Sequence, residues 1–129
     1  MQSENHKKTI YAAILGAGTV GTGVYKLCQE MKSEFVQKTG ADLVVKKVLV
    51  RNASKKREGI EDAVLTDNWK EIIEDPEIDI VIEVMGGIEP AKTYIIEALE
   101  AGKQIVTANK DLLAEHGQEA VSYTHLRAH

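Results

Sequence analysis

The segment Thr9–Gly21 (TIYAAILGAGTVG) constrains the fold more than any other stretch of the chain. A short apolar run of strand character passes directly into Gly16-Ala17-Gly18-Thr19-Val20-Gly21. This is a G-x-G-x-x-G turn set between a strand and a helix. Gly16 permits the tight turn, Gly18 lets the backbone approach a pyrophosphate, and Gly21 lets the helix pack close to the strand. Ala17, Thr19 and Val20 complete the turn, with Thr19 and Val20 offering backbone N–H groups rather than catalytic ones. The helix that starts here aims its free N–H groups and positive dipole end at phosphates. The motif therefore predicts a bound nucleotide cofactor and hydride-transfer chemistry, with a glycine turn in some other α/β domain as the plainer alternative.

The pattern downstream supports the same context. A helix is predicted over residues 20–39, with Val20, Val24, Leu27, Cys28, Met31 and Phe35 as its apolar stripe and Gly40 as its stop. Leu43–Val50 is rich in β-branched residues and reads as strand two. A short third strand is expected at Ala63–Leu65, then a short helix capped by Thr66 or Asp67 and carrying Trp69, Ile72 and Ile73. Ile78–Val84 reads as the next strand, and Pro90 opens a helix with Ala91, Tyr94, Ile95, Ala98 and Leu99 on one apolar face that ends near Gly102. Gln104–Thr107 reads as a further strand, with a helix starting near Asn109–His116. Strands alternating with helices give a parallel sheet. In such sheets ligands bind at the C-terminal strand ends, which selects the loops at 16–21, 51–57, 85–89 and 107–111.

Composition removes several other functions. The 129 residues suffice for one domain with a core, and the net charge of −4 argues against a general nucleic-acid binder. The single cysteine, Cys28, excludes an internal disulfide and a cysteine-rich zinc site, which fits a reducing cytoplasmic setting. Its place on the apolar stripe marks it as a structural thiol. His6, His116, His125 and His129 have no metal-ligand spacing, so no metal is expected. No apolar run is long enough to span a membrane. Lys7 and Lys8 before the apolar run superficially resemble a signal peptide, but the run is short and leads into the glycine turn.

The cofactor type is read after strand two. An NAD-selective site places Asp or Glu there for the ribose 2′-hydroxyl, whereas this chain has Arg51-Asn52, with Lys55, Lys56 and Arg57 close behind. An arginine fork suits a 2′-phosphate, so NADP is favoured, with NAD possible. A solvated basic loop is the alternative, and for Lys55, Lys56 and Arg57 taken singly it is the simpler one. Gly86 and Gly87 let the backbone approach a ligand closely, or simply make a turn. Glu83 is either a buried acid or a strand-end carboxylate near the surface. Thr107, Asn109 and Lys110 are expected beside Gly86 and Gly87, where a nicotinamide would rest. Lys110 could manage a proton there, although a solvated first-turn lysine behind an Asn109 cap is the simpler reading from physics alone.

Four motifs taken in order, GAGTVGTGVYKL, VLVRNASKKR, IVIEVMGGIEPAK and VTANKDLLAEHG, resemble bacterial homoserine dehydrogenase over about Thr9 to Val121. The resemblance implies a Rossmann-type α/β parallel sheet with helices on both faces, and interconversion of L-homoserine and L-aspartate 4-semialdehyde with NAD(P). It implies that Gly16, Gly18 and Gly21 hold the pyrophosphate and that Arg51, with Lys55–Arg57 nearby, meets the adenosine phosphate. It also implies that Gly86 and Gly87 lie beside the nicotinamide, that Thr107 and Asn109 face cofactor and substrate, and that Lys110 acts on the substrate.

The implied organisation is a flexible terminus at 1–8, an NAD(P)-binding domain at 9–121, and no substrate and dimerisation domain. Members of the family carry that further domain, through which the intact enzyme forms a homo-oligomer. Ser122–His129 (SYTHLRAH) departs from the family pattern and resembles a translated sequencing adapter, so it is expected to be non-native. The expected function is the cofactor-binding fragment of an NADP-dependent homoserine dehydrogenase, inactive alone. The alternatives are a non-catalytic NADP(H)-binding module or another NADP-dependent amino-acid oxidoreductase.

Overall fold

The strand that carries the glycine turn lies at the centre of the sheet, as a run with no polar face requires. In the computed structural model, which describes residues 8–107, β1 (Lys8–Leu15) is flanked on both sides and its residues Ala12–Leu15 are fully buried. The other strands are β2 (Ala41–Leu49), β3 (Leu65–Thr66), β4 (Ile78–Glu83) and β5 (Gln104–Thr107). They form a five-stranded sheet in the order β3-β2-β1-β4-β5, and every pairing is parallel. Strand order reverses at β1, so β2 and β4 leave it on opposite sides and open a crevice above its end.

Alternation along the strands feeds two layers. Ala13, Leu15, Leu49 and Val81 point into one cluster with Ile72 and Ala98, from α3 (Lys70–Ile73) and α4 (Ala91–Glu100). Ile14, Val48 and Val50 point into the other with Tyr25, from α1 (Thr19–Glu30). Helices therefore cover both faces, as a Rossmann-type sheet demands.

The single helix expected over 20–39 is two helices. Met31, at φ −93° and ψ 7°, ends α1, and α2 (Lys32–Thr39) follows and stops at Gly40 in the left-handed conformation. The expected apolar stripe is also rotated. Gly21 and Tyr25 are the buried positions of α1, Val24 and Cys28 are half-buried, and Val20, Leu27 and Met31 are exposed. The glycine contact fixes which side of the helix meets the sheet, and periodicity alone does not carry that contact. Burial pushes the Cys28 thiol pKa up, in keeping with a structural thiol.

Lys103 and Lys46 hold the opposite, N-terminal end of the sheet. The buried Lys103 donates through Nζ to the Asp75 and Ile78 carbonyls at 2.7 and 2.8 Å, and its burial pulls its pKa down. Lys46 Nζ lies 2.7 Å from Asp75 and 2.6 Å from Glu77. The hydrogen bond from Lys46 holds the Asp75 carboxyl below its ordinary range. A depressed carboxylate contributes stability that is present above its unfolded pKa and lost as pH falls through its folded pKa. Lys46→Met should therefore flatten the acid limb of the stability curve, below the ordinary aspartate pKa of about 3.9. Urea melts at several pH values check this, and a limb identical to wild type would contradict it.

Candidate functional site

The C-terminal strand ends are aligned across the sheet. Leu15 pairs with Leu49 on one side and Glu83 on the other, and Glu83 pairs with Thr107. Every loop that follows therefore starts from one edge. A cleft of about 420 Å³ lies along it, lined by Gly16, Ala17 and Gly18 after β1, Leu49–Arg51 after β2, and Val84–Gly86 after β4. Arg57, Asp67, Glu89, Pro90 and Tyr94 complete its wall.

The three motif glycines meet different demands. Gly16 has φ +110°, and a Cβ on it would press within 3.3 Å of the Val84 carbonyl oxygen and Met85 Cα. At Gly21 a Cβ would fall onto the Gly16 carbonyl, so the first turn of α1 packs directly on the glycine turn. Gly18 has φ −74°, open to any residue, and a Cβ there would meet nothing within 4 Å. Among the described residues nothing asks for glycine at this position, and the open turn leaves room for a ligand such as a pyrophosphate. Thr22 secures the turn by donating to the Ala17 carbonyl at 3.1 Å. Thr19 and the exposed Val20 form the first turn of α1 outside the cleft wall.

The basic loop divides. Arg51 and Arg57 line the cleft, whereas Lys55 and Lys56 are exposed and lie outside its wall. The loop is shaped by Asn52, whose Oδ1 accepts from the Ser54 N–H at 3.1 Å, and is anchored by the buried Ile60. The Arg57 Nε is buried and has no hydrogen-bond partner among the described residues. A buried donor without a partner is costly, about 1–3 kcal/mol.

On the β4 side, Gly86 and Gly87 adopt φ +80° and +74°, a pair of left-handed residues that side chains would strain. Gly86 lies on the cleft wall and Gly87 just beyond it. The sequence left Glu83 open between two environments. It is fully buried, accepting from the Met85 N–H at 2.8 Å and the Thr107 hydroxyl at 2.5 Å. Asn109, Lys110, the helix expected after them and residues 122–129 lie outside the described residues.

Asp67, Glu89 and Tyr94 are among the wall residues that the sequence does not single out as site residues. Asp67 follows β3, a strand too short to advertise its end. Glu89 accepts from the Thr93 N–H at 3.2 Å and the Thr93 hydroxyl at 2.8 Å beside a cis Glu89–Pro90 peptide, and so closes the start of α4. Tyr94 was assigned to an apolar helix face. It also stacks on Trp69, with ring centroids 4.4 Å apart, while Trp69 donates to Glu97 at 2.7 Å. The one tryptophan of the chain is thus in contact with the cleft wall and can report on binding. The N-cap position of α3 is Trp69 rather than the expected Thr66 or Asp67; just ahead of it Asn68 Oδ1 accepts from the Lys70 N–H at 3.0 Å, and Thr66 Oγ1 accepts from the Asn68 N–H at 3.1 Å. No cluster of metal-ligating side chains occurs among the described residues, and none of the helices there is long and apolar enough to cross a membrane.

Comparison with known proteins gives this cleft a family context. The profile described as homoserine dehydrogenase, NAD binding domain, matches residues 16–126, ending inside the segment that departs from the family motifs. Homoserine dehydrogenase of Bacillus subtilis is 44% identical over 116 residues, covering 89% of this chain and 27% of the relative. That of Lactococcus lactis is 49% identical over 116 residues, covering 86% and 27%. The crystal structure of Staphylococcus aureus homoserine dehydrogenase at pH 7.0 superposes with a TM-score of 0.89 at 41% identity, covering 95% of this chain and 32% of that one. The chain thus spans about a quarter of the length of the curated relatives it matches.

Proposed function

The chain belongs to the homoserine dehydrogenase family, as its NAD-binding domain, and from this premise we propose that it is the NADP-binding part of an enzyme interconverting L-homoserine and L-aspartate 4-semialdehyde. The observation that carries the NADP preference is the pair Arg51 and Arg57 on the cleft wall, with the buried Arg57 Nε unpartnered among the described residues. Guanidinium groups bind phosphate oxygens strongly and directionally, and no carboxylate stands directly after β2 to favour a bare ribose hydroxyl. Lys56, exposed beside them, adds charge to the approach rather than a contact.

In this reading the turn at Gly16–Gly21 holds the pyrophosphate, with Gly18 leaving room for it. Gly86 and Gly87 flank the nicotinamide. The bound nicotinamide supplies the hydride chemistry. Thr107 and Asn109 face cofactor and substrate, and Lys110 manages the proton on the substrate oxygen. The reaction belongs to the cytoplasmic synthesis of threonine and methionine. The groups that hold homoserine, and the surface for self-association, reside in the portion of the relatives that this chain does not span.

A binding fragment without those groups has lost substrate positioning, which can cost several orders of magnitude in rate. The 129-residue chain should therefore bind NADPH yet form no reduced cofactor from L-homoserine and NADP, followed by absorbance. Normal turnover would contradict this assignment of labour, and absence of NADPH binding would contradict the cofactor reading itself.

A further inference from the structure

We infer that Glu83 is a positioning residue for the nicotinamide half of the cofactor; the inference rests on the cofactor reading above. Its side chain is fully buried at the end of β4. One carboxylate oxygen accepts from the Met85 N–H at 2.8 Å and the other from the Thr107 hydroxyl at 2.5 Å. Burying a carboxyl group is unfavourable unless hydrogen bonds satisfy it, and both of its oxygens are bonded here. This side chain therefore forms a firm strap between the loop after β4 and the last residue of β5.

The strap acts from behind the cleft. Met85 and Gly86 line the cleft, whereas Glu83 does not. The bond to the Met85 N–H fixes the first residues of the loop as it leaves the sheet, directly ahead of Gly86 on the cleft wall. Thr107 is the last residue of β5, so the other arm of the strap holds the end of that strand. Strand order gives the strap its selectivity. Arg51 follows β2 on one side of β1, and Glu83 closes β4 on the other. A dinucleotide lying across the strand ends, with its 2′-phosphate over β2, places its nicotinamide over β4 and β5. Glu83 should then govern that half alone.

Two ligands separate this role from a general structural one. NADPH carries both halves, and adenosine 2′,5′-bisphosphate carries only the adenosine half. Glu83→Ala should weaken NADPH about tenfold or more and leave the bisphosphate within about twofold. Glu83→Gln should recover most of the loss, because its amide oxygen can accept from Met85 and its amide N–H can donate to the Thr107 oxygen. Thr107→Val cuts one arm of the strap at nearly constant volume and should weaken NADPH about threefold, again without touching the bisphosphate. It carries the test if Glu83→Ala does not fold. Equal losses for both ligands, or no loss for NADPH, would overturn the inference. Failure of the wild-type chain to bind either ligand would instead overturn the cofactor reading, and the inference with it.

Discussion

Gly18→Ala is expected to weaken NADPH binding by about tenfold or more while leaving the protein as stable as wild type or slightly more so. The backbone at Gly18 suits alanine, and among the described residues the added methyl meets no atom within 4 Å. Removing a glycine from the unfolded chain even adds about 0.4–1 kcal/mol where the native backbone is compatible. The methyl would instead oppose a ligand lying against the turn. Gly21→Ala should behave in the reverse order. Its methyl falls on the Gly16 carbonyl, so α1 must move away from the turn. Such overpacking costs about 1–3 kcal/mol or more, and each kcal/mol lowers Tm by roughly 4–8 °C in a domain of this size. Gly23→Ala is the control in the same helix: its methyl meets nothing, and alanine gains about 0.5–1 kcal/mol over glycine there. Thermal melts and NADPH titrations of the three variants decide the matter. Unchanged NADPH affinity in Gly18→Ala would remove the pyrophosphate from this turn.

The second large effect concerns the arginines. Arg51→Ala and Arg57→Ala should each weaken NADPH about tenfold to a hundredfold, since a hydrogen bond to a charged group contributes about 1.5–3 kcal/mol. NADH affinity should change by no more than about twofold, because the 2′-phosphate is the only group removed from the comparison. Lys56→Ala should shift NADPH affinity by less than about threefold, and the shift should vanish at high salt, as for any exposed charge. Parallel loss of NADPH and NADH in Arg57→Ala would mean that it holds the turn rather than the phosphate.

What the sequence announced and what it concealed differ by range of interaction. The β1 run, the glycine turn and the Gly40 stop are local signals: a buried strand, a close approach and a left-handed residue each show in a few letters. The rotation of α1 depends on Gly21 meeting Gly16 and on Tyr25 entering the layer of Ile14 and Val48, which no stripe of spacing 3.6 encodes. Glu83 could be read either way because its burial depends on Thr107, a partner 24 residues on. Arg57 looked like one of three solvated charges. It differs from Lys55 and Lys56 only because the loop, pinned by Ile60, turns it into the cleft. Tyr94 and Asp67 were hidden for the opposite reason. Tyr94 fitted a helix face too well to be read as anything else, and Asp67 followed a strand of two residues.

The most direct test of the account is a titration of the 129-residue chain with NADPH and with NADH, followed through Trp69 at physiological salt. The account predicts saturable binding of both, with NADPH tighter by about tenfold or more, consistent with one phosphate held by paired guanidinium groups. Equal affinities would contradict the role given to Arg51 and Arg57, and no binding of either would contradict the cleft as a cofactor site.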